Sequence, residues 1–217
     1  LLSQKIRGRD IIRMVIGIDE VGRGPLAGPV FVAAVALPKR MNLKGSDLPL
    51  RDSKKLTAHQ REAWCAWIKK NPGILWAIAR SSPKTIDRVN ITQAANHAAH
   101  RAYLKVIEVL SLKAESYGLK AHLDAGLKLP KGIPQESIVK GDEKIPAIAL
   151  ASILAKVARD AYMERQAKKY PGYGWETNKG YGTAVHVKAL KKWGPCNIHR
   201  LTFIRKFIKL KANEAKS

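Results

Sequence analysis

The sequence predicts an α/β protein built on a mixed sheet, and three observations predict it. Two apolar runs, Met14 to Ile18 and Val30 to Leu37, flank a loop holding Gly22, Gly24, Pro25, Gly28 and Pro29, the pattern of paired strands joined by a turn. Further strand-like segments then alternate with helix-like ones. A length of 217 residues with 46% hydrophobic content suffices for a sizeable core without disulfide or metal staples.

The elements follow in order. Met14 to Ile18 reads as a buried strand that ends in two acids, Asp19 and Glu20. Thr57 to Lys69 reads as a helix capped by Thr57 and stopped by Asn71-Pro72-Gly73. Ile74 to Ala79 is a candidate third strand. Asn90 to Tyr117 carries Ile91, Ala95, Ala98, Ala102, Val106 and Val109 at helical spacing, with Gly118 as its stop. Lys120 to Asp124 and Glu136 to Lys140 read as short strands. Pro146 to Lys168 reads as a second long helix, largely apolar, with Ser152, Lys156, Arg159 and Asp160 on one stripe. Thr183 to Trp193 is a further helix, stopped by Gly194-Pro195, and the Lys-rich tail from Phe207 is expected to fray.

Composition narrows the function. Forty Lys and Arg against seventeen Asp and Glu give a net charge of +23, which points to a polyanionic partner, above all nucleic acid. No basic amphipathic segment with a bulky aromatic face argues for a membrane surface. The longest apolar run is eight residues, too short to span a bilayer. Cys65 and Cys196 stand far apart and form neither a disulfide framework nor a zinc motif. The first ten residues do not read as a secretory signal, so a cytoplasmic protein is expected; the oligomeric state is open, with monomer the default. The histidines show no HExxH spacing, and His97 and His100 read as surface or packing residues.

Against this basic background four acids occupy unusual places. Asp19 and Glu20 close one strand, Asp124 closes another, and Asp142 precedes the proline of the long helix by four residues. Carboxylates gathered at one sheet edge repel one another and stay ionised together only with cations between them. Such oxygen ligands suit Mg²⁺ or Mn²⁺, and two ions about 4 Å apart can align a phosphodiester for hydrolysis. A single acid at a strand end is usually a turn or cap residue, whereas an adjacent Asp-Glu pair after an apolar strand is less ordinary. Spacing therefore leaves open a metal nuclease, a non-catalytic duplex-binding domain and a ribosomal-RNA-binding protein.

Longer blocks carry a resemblance. GIDEVGRGPLAGPV from Gly17, DSKKLT from Asp52, IDRVNI from Ile86, HLDAG from His122, KGDEKIPAIALASILAKVARD from Lys140, NKGYGT from Asn178 and GPCNIHRLTF from Gly194 resemble, in order, the blocks of the bacterial ribonuclease HII family. The resemblance implies a ribonuclease H-like fold, one catalytic domain over residues 1–217, and a C-terminal helical extension from about residue 183. It implies cleavage of RNA in RNA–DNA hybrids and at single ribonucleotides in duplex DNA, leaving 3′-hydroxyl and 5′-phosphate ends. It places the family's metal-binding acids on Asp19, Glu20, Asp124 and Asp142.

The same resemblance assigns Gly22, Arg23 and Gly24 to reading the ribonucleotide 2′-OH, and Tyr181 to packing beside it. Lys54 becomes a phosphate contact. Lys156 either holds phosphate or joins Arg159 and Asp160 in a partly buried network. Two departures are visible: Ala125 delays the glycine after Asp124 to Gly126, and the long helix carries Ala149-Leu150-Ala151-Ser152. Arg23, and the short stretch before Asp19, resemble type HII more than type HIII. A replication-clamp contact has no motif of its own; Leu201 to Leu210 could host one, though a basic helix packed on the domain is the expectation.

Overall fold

A computed structural model of the chain describes residues 14–43, 50, 53, 55–112 and 119–209, with backbone only at 111 and 112. Lys54, Tyr117, Gly118 and the tail beyond 209 lie outside the described residues.

Five strands form one mixed sheet in the order β3-β2-β1-β4-β5. β1 (Met14–Val21) pairs antiparallel with β2 (Val30–Pro38), which pairs antiparallel with β3 (Leu75–Ser81). On its other side β1 runs parallel to β4 (Ala121–Asp124), and β4 parallel to β5 (Gln135–Ile138). Each expected strand exists, with ends shifted by one or a few residues. The largest difference is in β1, which continues through both acids to Val21.

Alternation along β1 divides the core. Ile16 and Ile18 join Val30, Val32, Ala34 and Leu123 on one face, under α2 (Pro83–Leu112). The opposite face, with Ala33 and Val35, meets α1 (Ala58–Lys70) and α4 (Pro146–Lys169) through Trp64, Ile68, Leu150 and Leu154. Full burial of side chains of this size stabilises by roughly 1.5–3 kcal/mol each. Thr57 caps α1 in a reciprocal box with Gln60.

The expected helix from Asn90 is the second part of α2. Ser82 accepts from the Thr85 N–H at the helix start, and Asn90, with φ of 65° and ψ of 167°, breaks the run and recaps it by accepting from the Gln93 N–H. The apolar ladder is buried from Ala95 to Val106, but Val109 faces solvent.

Short α3 (Gly141–Lys144) and α5 (Trp175–Asn178) flank α4, and α6 (Ala184–Trp193) and α7 (Leu201–Ile204) follow. Tyr173, Trp175, Ala189 and Ile198 bind this C-terminal part to Ala27 and Met163. Leu201, Phe203, Phe207 and Ile208 pack around Leu26, Leu190 and Ile204. The beginning of the tail is thus docked as far as the described residues run. No helix among the described residues is long and apolar enough to cross a membrane.

Candidate active site

The cleft at the C-terminal ends of β1 and β4 gathers nearly every polar residue singled out above. It encloses about 280 Å³ and is lined by Asp19, Glu20, Gly22, Arg23, Gly24, Asp124, Asp142, Lys156 and Tyr181, joined by Val21, Ser53 and Ser152. Parallel pairing brings Ile18 opposite Leu123, so the next residues, Asp19 and Asp124, leave the ladder side by side.

One carboxylate oxygen from each of Asp19, Glu20 and Asp124 lies within 4.8 Å of the others. Neighbouring strand residues ordinarily face opposite sides. Glu20 nevertheless shares this point with Asp19, because it lies past the stretch of β1 paired with β4 and its longer side chain reaches the same strand end. Asp142 arrives from a separate segment. The Gly141 N–H at the start of α3 donates to Asp124 Oδ1 at 2.9 Å, tying α3 to the end of β4. Asp142 lines the cleft but stands outside the group of three closest oxygens.

Burial works against ionisation of the two acids that end β1. Burial, then the Glu20 carboxylate, hold the Asp19 pKa well above the usual carboxylate value, against a hydrogen bond from Ser152. Burial pushes Glu20 up to about 7 despite the opposing charge of Arg23. Glu20 Oε2 is buried and has no hydrogen-bond partner among the described residues. An orphaned carboxylate oxygen beside two further carboxylates is a hard oxygen donor set, which fits Mg²⁺ or Mn²⁺. Asp19, Glu20 and Asp124, with Asp142 at the margin, are the residues that would hold such ions.

The Gly22-Arg23-Gly24 turn is tied to distant parts of the chain. Arg23 reaches Glu20 Oε1 at 3.3 Å, the Gly126 carbonyl at 3.4 Å and Thr92 at 3.2 Å. The loop altered by Ala125 is therefore the one on which Arg23 rests. Tyr181 is half exposed and borders Gly24, where an added Cβ would lie 3.9 Å from the ring. Lys156 pairs with Asp160 at 2.9 Å and also lines the cleft.

Several supporting contacts were not foreseen from the sequence, although Ser152 and Arg159 themselves were placed on the polar stripe of the long helix. Ser53 and Ser152 share a buried 2.8 Å hydrogen bond beneath Asp19. Arg159, fully buried, donates to the Ala27 and Pro29 carbonyls and lies 5.7 Å from the Tyr181 ring centre. Arg200, also fully buried, donates to the carbonyls of Gly22, Arg23 and Gly28. Placement in a long motif block was the one signal for Arg200.

Comparison with known proteins agrees with this geometry. A family model described as ribonuclease HII matches residues 16–206. The chain belongs to the ribonuclease HII family. Ribonuclease HII of Syntrophobacter fumaroxidans is 48% identical over 90% of this chain and 78% of its own length. That of Caldicellulosiruptor bescii is 43% identical over 91% and 90% respectively. Among solved structures, the ribonuclease HII in a PCNA complex from Archaeoglobus fulgidus superposes with a TM-score of 0.68 at 27% identity, covering 92% of this chain and 98% of that one. A Bst-ribonuclease HIII in complex with Mn²⁺ shares the fold, with a TM-score of 0.71 at 20% identity over 88% of this chain and 67% of that one. Membership of the ribonuclease HII family makes the chain a metal-dependent ribonuclease, an endonuclease for RNA in RNA–DNA hybrids.

Behind Tyr181, in the same C-terminal part, His199 packs within 5.4 Å of Trp175 and 5.0 Å of Tyr173, ring centre to ring centre. Burial, then the neighbouring His186, lower its pKa from 6.5 to about 4. A depressed histidine pKa means the fold favours the neutral ring. The stabilisation is complete above about pH 6.5 and is lost as pH falls through about 4, by on the order of 3 kcal/mol. His199→Gln has no such titration. The gap in melting temperature between wild type and His199→Gln is expected to shrink between about pH 7.5 and pH 4.5. A gap independent of pH would contradict a buried neutral His199.

Proposed function

We propose that the protein cuts the RNA strand of RNA–DNA hybrids and also cuts 5′ of single ribonucleotides embedded in duplex DNA, leaving 3′-hydroxyl and 5′-phosphate ends. One observation carries this reading: acids from three separate segments meet in one cleft with the Gly22-Arg23-Gly24 turn and Tyr181. Two divalent cations in that cleft would supply an activated water and stabilise the leaving 3′ oxygen. In this reading Asp19, Glu20, Asp124 and Asp142 would hold the ions.

The rest of the cleft supports substrate choice. Gly22 and Gly24 let backbone groups approach a sugar closely, and the 2′-OH is what distinguishes RNA from DNA. Tyr181 offers a flat, half-exposed ring beside Gly24. Lys156 adds a cation at the cleft wall, and a net charge of +23 draws the duplex in. Lys54 is proposed as a phosphate contact from its motif alone. The catalytic domain spans the chain, with the C-terminal helices from about residue 183 as its extension. A replication-clamp contact stays possible but without a motif of its own, and the apolar residues between Leu201 and Ile208 are partly buried against Leu26, Leu190 and Ile204.

The test uses a DNA duplex with one ribonucleotide and, in parallel, an RNA–DNA hybrid. Incision 5′ of the ribonucleotide is expected with Mg²⁺ or Mn²⁺ and none with chelator. Binding without metal-dependent incision would leave only a basic duplex-binding protein.

A further inference from the structure

The recognition turn and Tyr181 are each held by a buried side chain from the C-terminal part. Arg200 spreads its guanidinium over three carbonyls: Gly22 at 2.6 Å, Arg23 at 2.7 Å and Gly28 at 2.9 Å. Its own N–H donates to the Leu26 carbonyl at 2.8 Å. No carboxylate is among these partners. The Asp87 carboxylate supports its charge from nearby, while the rigid fork of donors goes to backbone carbonyls and fixes their geometry.

Tyr181 is held through a directional chain. The Cys196 N–H donates to His199 Nδ1 at 2.9 Å, so the proton of the neutral His199 ring sits on Nε2. That nitrogen is 3.1 Å from His186 Nε2, and Trp175 Nε1 donates to the same His186 nitrogen at 3.1 Å. His186 Nε2 is thereby fixed as an acceptor. Its proton sits on Nδ1 and is donated to the Tyr181 carbonyl, 2.9 Å away. His186 is fully buried, and its lowered pKa, caused chiefly by burial, keeps this arrangement neutral.

The two devices meet. The Leu26 N–H, just after the turn, donates to the Gly180 carbonyl, one residue before Tyr181. Arg159 lies between them, with its Nε against Gly22 and its guanidinium beside the Tyr181 ring.

We propose that Arg200 and His186 are positioning residues for ribonucleotide recognition: Arg200 sets the carbonyls of the Gly22-Arg23-Gly24 turn, and His186 sets the backbone of Tyr181 above it. This rests on the reading that the turn and Tyr181 sense the ribonucleotide. Neither residue touches substrate. Each acts by removing backbone freedom, and an error of about 1 Å in such a group can cost up to about a hundredfold in rate.

The test separates turnover from binding on the duplex with one ribonucleotide. Arg200→Lys keeps a charge but loses the fork. His186→Gln loses the donor near Tyr181, whereas an Asn amide can occupy the place of Nδ1, so His186→Asn restores it. Arg200→Lys and His186→Gln are expected to lower kcat about tenfold or more. Affinity for the uncut duplex in chelator should stay near that of wild type, and His186→Asn should recover most of the turnover. Melting curves confirm that each variant is folded; if Arg200→Lys does not fold, the two His186 variants decide. Wild type that fails to incise at the ribonucleotide removes the functional reading and this inference with it. Wild-type incision with unchanged kcat in the folded variants overturns the inference alone, as does equal impairment of the Gln and Asn variants of His186.

Discussion

Asp19→Asn is expected to lower hybrid cleavage about a thousandfold or more while leaving duplex binding largely intact. The size follows from losing about 4 kcal/mol of transition-state stabilisation when a carboxylate proposed to hold the ions becomes an amide. The change is nearly isosteric, and an amide oxygen can still accept the Ser152 hydrogen bond and the Glu20 N–H. Removing one of three crowded carboxylates also relieves repulsion. The variant should melt in chelator at or above the wild-type temperature, and the stabilisation that Mg²⁺ gives the wild type should disappear. Turnover near that of wild type would remove Asp19 from the chemistry.

Gly17→Ala is expected to cost at least about 3 kcal/mol, at the upper end for overpacking a core. A Cβ at Gly17 would stand 2.2 Å from the Ala147 carbonyl carbon and 2.3 Å from the Ile148 nitrogen. Those are backbone atoms of the first turn of α4, so no side-chain rotation relieves the clash. The helix must move away from β1, two residues before Asp19. For a chain of this length the melting temperature should fall by about 6–12 °C. Hybrid cleavage should also fall at temperatures where the variant is folded, since α4 carries Ser152 and Lys156 into the cleft. A melting temperature within about 2 °C of wild type would show that α4 tolerates the shift.

Much of the sheet was legible because its strands are short apolar runs with turn residues between them. The acids were legible for a related reason: a charge at the end of an apolar run has few structural uses on a protein this basic. Their convergence was not. The register of β1 against β4, which sets Asp19 beside Asp124, is a long-range pairing that local pattern does not encode. Asp142 depends on a hydrogen bond from Gly141 to Asp124 across the end of the sheet. The first turns of α2 escaped because Asn90 is itself a good N-cap and marked a start inside a longer helix. Arg200 escaped for a stronger reason. One buried arginine among forty basic residues looks like the rest until its three carbonyl partners, some 170 to 180 positions away, are in view.

The central claim is that Asp19, Glu20, Asp124 and Asp142 form one divalent-cation site. Crystals soaked in Mn²⁺ and measured for anomalous scattering test it directly. Manganese peaks are expected between these four carboxylates, with Glu20 Oε2 acquiring a partner. Peaks confined to other acids, or a cleft that stays empty at saturating Mn²⁺, would contradict it.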